Sequence, residues 1–110
     1  MKDIYKSSLL FDFYGELLTE HQKEIYTDFV LNDLSLGEIA EERGISRQGV
    51  HDLVKRCDTL MADYESKLHL VEKYLKTKDD VSKICKLAET ANSKNIEDIK
   101  NIANGILDNY

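Results

Sequence analysis

The stretch SLGEIAEERGISRQGVHDLVKR, residues 35–56, decides the predicted fold. It begins with Ser35-x-x-Glu38, a capping box in which each side chain satisfies a free backbone N–H of the other. Gly44 follows this short helix, where a C-terminal cap favours a residue that tolerates positive φ. Ser46 can then cap a second helix. Two helices separated by so short a turn are typical of a helix-turn-helix.

The apolar residues of the same stretch occupy the places that this motif requires. Two helices that cross steeply need a small residue near the crossing, and Ala40 is small. Ile45, Val50 and Leu53 are spaced to insert into the core from the turn and the second helix, and Ile39 supports them from the first helix. The segment therefore predicts a helix-turn-helix.

The rest of the chain also favours helices, since the whole sequence has no proline and only five glycines. Thr19-x-x-Gln22 is another capping box, and Asn32-Asp33 is a plausible end for the helix that it begins. Near the C-terminus, residues 92–95 predict a turn with Asn95 as the next N-cap. Two apolar stripes are predicted, one of Tyr5, Leu9, Leu10, Phe13 and Leu17, the other of Ile96, Ile99, Ile102, Ala103, Ile106 and Leu107.

A heptad-like spacing follows the motif, with apolar residues alternately four and three positions apart from Val50 to Leu75. It predicts one helix from Arg47 to about Leu75, which would be ~40 Å long. The seam could pack on helices of the same chain or on a second copy, and the helix length favours a homodimer. The predicted dimerisation residues are Met61, Tyr64, Leu68, Val71, Tyr74 and Leu75.

These elements predict an all-α fold, a helix-turn-helix domain with a long recognition helix extended by C-terminal helices. Residues 1–56 form the predicted DNA-binding core, and residues 57–110 the helical extension and dimerisation region. No apolar run is long enough to span a membrane, and no signal peptide is recognisable, so we expect a cytoplasmic protein without membrane insertion.

The reactive residue types do not form a catalytic or metal-binding pattern. Cys57 and Cys85 lack the paired spacing of a zinc site, and we expect each to be a small, buried or half-buried apolar side chain in a reducing cytosol. His21, His51 and His69 are scattered, and no glycine-rich loop could cradle a phosphate. The sequence therefore predicts no enzyme, no metal and no cofactor.

The second helix of the motif has residues suited to double-stranded DNA. Arg47, Gln48 and His51 lie where a recognition helix contacts base edges, and Ser46 could reach a phosphate. Asp52 could accept a hydrogen bond from cytosine or orient Arg56 four residues later. The DNA-binding residues predicted are Ser46, Arg47, Gln48, His51, Asp52, Lys55 and Arg56, the last two cations being suited to phosphates.

Charge opposes this prediction in part, because the chain has a formal net charge of −6. Residues 46–56 have three cations against one acid, whereas residues 1–34 have three lysines against seven acids. With two or three phosphate contacts per chain, one copy should bind DNA weakly. Two copies would double the contacts and contact two half-sites.

The chain also resembles two groups of known proteins. From Leu18 to Met61 the chain resembles the promoter-reading fourth region of bacterial sigma factors in the order of its segments. The motifs LLFDFYGELLT (9–19), SLGEIAEE (35–42), SRQGVHD (46–52) and DYESKLHLVEKY (63–74) together resemble the YlxM-type proteins of Gram-positive bacteria. This resemblance covers about the first 75 residues. Gly49 and His51 depart from it, since alanine and tyrosine are usual there.

The resemblance implies a helix-turn-helix protein encoded beside components of the signal recognition particle pathway, with a regulatory role there. We therefore expect a DNA-binding regulator that acts as a homodimer, with signal recognition particle components as possible partners. The alternative is an adaptor for proteins or an RNA complex that keeps the fold without sequence-specific DNA binding. The chain's acidity and Gly49 favour this alternative.

Overall fold

The computed structural model describes residues 3–90 and 92–109, and it confirms the all-α class. In the described residues there is no β-strand. The helices are α1 (Ile4–Tyr14), α2 (Glu20–Val30), α3 (Leu36–Arg43), α4 (Arg47–Leu68), α5 (Leu70–Glu89) and α6 (Ser93–Asp108), with a 3-10 turn at Gly15–Leu17. The chain forms two compact units, one up to His69 and the other from Leu70.

The two predicted capping boxes are present at the starts of α2 and α3. Thr19 accepts from the Gln22 N–H at 3.2 Å, while the Gln22 side chain accepts from the Thr19 N–H at 2.9 Å. Ser35 and Glu38 form the same reciprocal pair, and these bonds hold the pKa of the Glu38 carboxyl below its usual value. Both capping boxes are thus confirmed, and they fix where α2 and α3 begin.

The core of the first unit forms around α4, which packs on α1, α2 and α3. Stacked or tilted rings reinforce it, since Phe11 contacts Tyr26 with ring centroids 5.1 Å apart and Tyr14 stacks on Tyr64 at 6.0 Å. The side chains with essentially no exposed surface are Tyr14, Ile25, Tyr26, Ile39, Val50, Cys57 and Met61.

The predicted apolar stripe of α1 is wrong for most of its members. Leu10 is buried as expected, but Tyr5, Phe13 and Leu17 are exposed, and Tyr14 is the most deeply buried residue of the helix. Tyr14 can be buried because its hydroxyl donates to Glu65 Oε1 at 2.6 Å. The buried face is therefore rotated by about one residue from the predicted stripe.

The single helix predicted from Arg47 to Leu75 is also wrong, because α4 ends at Leu68. His69 adopts the left-handed conformation with φ 57°, and its N–H donates to the carbonyl of Glu65. A new helix, α5, begins directly afterwards at Leu70. The heptad-like spacing thus continues across His69, where the helix is interrupted although the apolar pattern is not.

The second unit consists of α5 and α6, which pack on each other. The N-cap of α6 is Asn92, whose side chain accepts from the Asn95 N–H at 2.9 Å, so the prediction of Asn95 as the cap is wrong. The Asn95 amide instead donates to Thr90 and to the carbonyl of Leu87, which ties the start of α6 to the end of α5. No residue between Ser93 and Asp108 is fully buried.

The boundary between the two compact units lies beyond residue 56, because α4 runs on to Leu68. The predicted division of functions at residue 56 stays a prediction. Within residues 3–90 and 92–109, none of the helices combines the length and the apolar character that crossing a membrane requires.

Candidate nucleic-acid interface

The turn between α3 and α4 has the geometry that the sequence predicts. Gly44 adopts φ 67°, and its N–H donates to the Ala40 carbonyl, which also accepts from the Ile45 N–H at 3.1 Å. Ser46 then caps α4 by accepting from the Gly49 N–H at 2.9 Å. These bonds fix the angle at which α4 leaves the turn.

One face of α4 anchors it and the opposite face is open. Val50, Val54 and Cys57 are buried in the core of the first unit. The residues predicted to contact DNA, together with the Ser46 cap, are all exposed: Ser46, Arg47, Gln48, His51, Asp52, Lys55 and Arg56. The structure thus brings the predicted residues together on the outward surface of α4, and their role in binding stays a prediction.

Asp52 organises the side chains at the start of this surface. Its Oδ1 accepts from Gln48 Nε2 at 2.9 Å and lies 3.4 Å from His51 Nδ1. The Gln48 bond is the main reason that the pKa of the Asp52 carboxyl is lowered, followed by the His51 contact. The sequence left two roles open for Asp52, contact with cytosine and orientation of Arg56. In the structure the residue that Asp52 orients through a hydrogen bond is Gln48, four residues before it. Arg56 acts on Asp52 only through its positive charge, which helps to lower the pKa of the Asp52 carboxyl.

Arg43, at the end of α3, is an important residue that the sequence analysis did not single out. It donates to Asp28 on α2 and, through Nη1, to Glu24 at 3.3 Å. The hydrogen bonds to Asp28 raise the pKa of the Arg43 guanidinium above its usual value. Because Arg43 is paired with Asp28 and Glu24, the exposed cations that the first three turns of α4 can offer a partner are Arg47, Lys55 and Arg56.

Two cavities flank His51 on the surface of the first unit. One of about 440 Å³ is lined by Leu36, Arg47, Gln48 and His51. The other, of about 360 Å³, is bordered by α1, α2, α3 and α4 and is lined by Asp3, Ser7, Phe29, Leu36, His51, Val54, Lys55 and Asp58. The sequence prediction missed Leu36, which follows the Ser35 cap directly and lines both cavities beside the exposed surface of α4. Within the described residues, no group of three or more His, Cys, Asp or Glu side chains could hold a metal ion.

The predicted dimerisation residues have different environments. Met61 is fully buried and Tyr64 is half-buried against Tyr14 in the first unit, whereas Leu68 is 48% exposed at the end of α4. In the second unit Val71 is buried, while Tyr74 and Leu75 are about 40% exposed. Leu68, Tyr74 and Leu75 are therefore the members of this set with the most surface to offer a partner.

The comparisons with known proteins agree with this geometry. The model of a family of helix-turn-helix proteins, described as YlxM/p13-like, matches residues 1–102. This chain belongs to that family. The resemblance first noted over about 75 residues is thereby confirmed and extended through most of α6.

Individual relatives match over nearly the whole chain. A UPF0122 protein of Clostridium novyi is 43% identical over 109 residues, covering 92% of this chain and 95% of the relative. A UPF0122 protein of Acetivibrio thermocellus is 45% identical over 102 residues, covering 91% and 87%. A UPF0122 protein of Clostridium kluyveri is 40% identical over 110 residues, covering 99% of each chain.

Proposed function

We propose that this YlxM-like protein is a DNA-binding regulator that inserts the start of α4 into the major groove. The observation that carries the proposal is the division of α4 into two faces. Val50 and Val54 hold one face in the core, and Arg47, Gln48 and His51 lie exposed on the other. An anchored helix with exposed polar residues in its first two turns is how helix-turn-helix proteins contact bases.

The side chains on this face divide into two roles. Arg47 can donate to guanine, and Gln48 can pair with adenine, because their donors and acceptors match those base edges. Lys55 and Arg56 lie two turns further along α4, where contacts to backbone phosphates position a protein without selecting a sequence. Residues 46–56 have a net charge of +2, in contrast to the acidic chain as a whole.

A second copy is part of the proposal, because three outward cations give one chain few phosphate contacts. Each contact contributes roughly −0.9 to the slope of log affinity against log salt concentration, so two or three contacts leave a weak complex. Two copies double the contacts and permit two half-sites to be bound.

We place the pairing surface in the second unit. Residues 70–110 have seven lysines and seven acids, so their net charge is zero, while residues 1–69 have the entire net charge of −6. Two copies of the second unit can therefore approach without net repulsion. Exposed apolar side chains on α5 and α6 would be covered by such a partner: Leu70, Tyr74, Leu75, Val81, Ile96 and Leu107.

DNA binding is tested by fluorescence anisotropy with a random-sequence duplex at two salt concentrations. The wild type should bind more tightly at low salt, and Arg47→Ala should weaken binding. Lys67→Ala is the matched control, because it removes one positive charge from the same helix at a residue that pairs with Asp63. Undetectable binding at low salt, or equal binding by all three proteins, contradicts the proposal.

Pairing is tested separately by sedimentation equilibrium. The wild type should sediment as a dimer, and the double variant Leu75→Glu, Leu107→Glu should sediment as a monomer with unchanged helical circular dichroism. Leu31→Glu is the control, since Leu31 is 54% exposed on the first unit. A monomeric wild type at high concentration excludes the homodimer.

We also propose a more specific setting for this regulator. The resemblance to YlxM-type proteins implies a gene beside components of the signal recognition particle pathway, and we propose that the chain acts on that pathway in the bacterial cytoplasm, where the chromosome lies. The second candidate function is an adaptor for proteins or an RNA complex. The acidic residues 1–34, with a net charge of −4, favour it, because they repel DNA.

A further inference from the structure

The contact between Gln48 and Asp52 restricts what Gln48 can offer a base. One of the two hydrogens on Gln48 Nε2 is engaged by Asp52 Oδ1 at 2.9 Å. The same oxygen lies 3.4 Å from His51 Nδ1, so Asp52 holds both side chains at one point. Gln48 is left with one N–H donor and its carbonyl oxygen as an acceptor.

This remaining pair matches adenine better than guanine. Adenine presents an acceptor at N7 and a donor at N6 in the major groove, which is the complement of one N–H and one oxygen. Guanine presents two acceptors, N7 and O6, and an unrestrained amide can turn both of its N–H groups towards them. An amide whose second hydrogen is bonded to Asp52 cannot donate both hydrogens to guanine.

We infer that Asp52 is a positioning residue that sets Gln48 to select adenine over guanine. The inference rests on the proposed DNA-binding function, and it assigns Asp52 a role other than contact with the DNA. Asp52 also places a negative charge among the outward cations of α4, where it opposes non-specific binding to phosphates. The two effects of Asp52, orientation and charge, can be separated by substitution.

Asp52→Asn keeps an oxygen that accepts from Gln48 and removes the charge, whereas Asp52→Ala removes both. Asp63→Ala is the charge control, because Asp63 is an exposed acid further along α4 that pairs with Lys67 at 3.0 Å. Each protein is used to select duplexes from a random library, and the position selected by Gln48 is identified as the one lost in Gln48→Ala. Affinities for adenine and guanine at that position are then compared.

The wild type should prefer adenine about tenfold, in the range that one bidentate contact supplies. Asp52→Asn and Asp63→Ala should keep the preference, and both should bind random duplex more tightly. Asp52→Ala should reduce the preference to about threefold or less, because a freed amide retains only part of the discrimination that a bidentate contact gives. An unchanged preference in Asp52→Ala overturns the inference and leaves the proposed function standing.

Nuclear magnetic resonance tests the contact without DNA. In ¹⁵N-labelled protein, one Gln48 side-chain N–H signal should be displaced downfield in the wild type and in Asp52→Asn, and should return to the usual position in Asp52→Ala. An undisplaced signal in the wild type overturns the inference. A wild type that selects no sequence overturns both the inference and the proposed function.

Discussion

Arg43 donates two hydrogen bonds to a single carboxylate oxygen of Asp28, from Nε at 3.1 Å and from Nη2 at 2.8 Å. Asp28 is nearly buried, and its other oxygen accepts from Asn32 Nδ2 at 3.2 Å. The pair joins the last turn of α2 to the end of α3, directly before the turn that leads to α4. It therefore adds a polar link between α2 and α3 to the apolar contacts of the motif.

Asp28→Asn should lower the free energy of unfolding by about 2 kcal/mol, because it replaces charge-assisted hydrogen bonds at a nearly buried site with weaker neutral ones. Urea denaturation followed by circular dichroism measures this loss. Arg43→Lys should also destabilise the protein, since a lysine cannot reproduce the two-nitrogen contact.

Glu24→Gln is the matched control for this pair. Glu24 also accepts from Arg43, at 3.3 Å, but its side chain is 50% exposed, and exposed ion pairs contribute little. Its unfolding free energy should stay close to that of the wild type. Equal losses for Asp28→Asn and Glu24→Gln would show that burial of Asp28 is unimportant.

The helix ends of the motif could be predicted because they depend on local chemistry. Ser35, Gly44 and Ser46 act through bonds to neighbours three or four residues away, and these bonds are present as expected. The break at His69 could not be predicted, because no glycine or proline marks it. His69 adopts φ 57°, and although histidine is among the residues that tolerate this conformation, a histidine in the sequence does not by itself mark the end of a helix.

The burial of polar groups was the other limit of the sequence prediction. Tyr14 and Asp28 are buried because partners distant in sequence, Glu65 and Arg43, satisfy them. A prediction from periodicity uses only the spacing of apolar residues and cannot identify distant hydrogen-bond partners. It therefore placed Phe13 in the core instead of Tyr14. The outward residues of α4 were predictable for the opposite reason, since they depend only on which apolar side chains anchor the helix.

Tyr26→Phe should reduce the loss of stability in alkali. Burial, followed by a hydrogen bond to Asp58, raises the pKa of Tyr26 well above its ordinary value of 10.0. The folded chain thus keeps a proton that the unfolded chain releases, so this contribution is complete below about pH 10 and decreases as the pH rises further. Urea midpoints measured at pH 8 and pH 10.5 should fall less in Tyr26→Phe than in the wild type.

Tyr5→Phe is the control for the alkaline effect, because Tyr5 is 52% exposed. Its midpoints should fall with pH as those of the wild type do. If the urea midpoint of Tyr26→Phe falls as steeply with pH as that of Tyr5→Phe, the buried hydroxyl does not contribute to the loss of stability in alkali.

The two free cysteines should react at very different rates. Cys57 is fully buried, and burial raises the pKa of its thiol to about 11, whereas Cys85 is exposed. The prediction that each cysteine is buried or half-buried is therefore wrong for Cys85. At pH 8 an aromatic disulfide reagent should modify one thiol of the native protein rapidly and the second only in urea. Cys85→Ser should abolish the rapid phase, and a rapid phase that persists in this variant would contradict the buried position of Cys57.

Gly49→Ala tests whether α4 is less stable than it could be. Glycine inside a helix costs about 1 kcal/mol relative to alanine. A Cβ at residue 49 would lie 3.0 Å from Ser46 Oγ, the atom that caps α4. Since Ser46 is exposed and can move by a few tenths of an ångström, we expect a net gain of about 0.5 kcal/mol in the free energy of unfolding.

The double variant Ser46→Ala, Gly49→Ala separates the two contributions to this gain. Ser46→Ala alone should cost about 1 kcal/mol through loss of the cap. Without the Ser46 hydroxyl, a Cβ at residue 49 no longer crowds Ser46 Oγ. In the Ser46→Ala background, Gly49→Ala should therefore stabilise the protein by nearly the full difference in helix propensity between glycine and alanine, about 1 kcal/mol. Urea denaturation of the four proteins forms a double-mutant cycle. If Gly49→Ala destabilises the wild type but stabilises Ser46→Ala, the glycine is required for the geometry of the cap, and the expected gain is wrong.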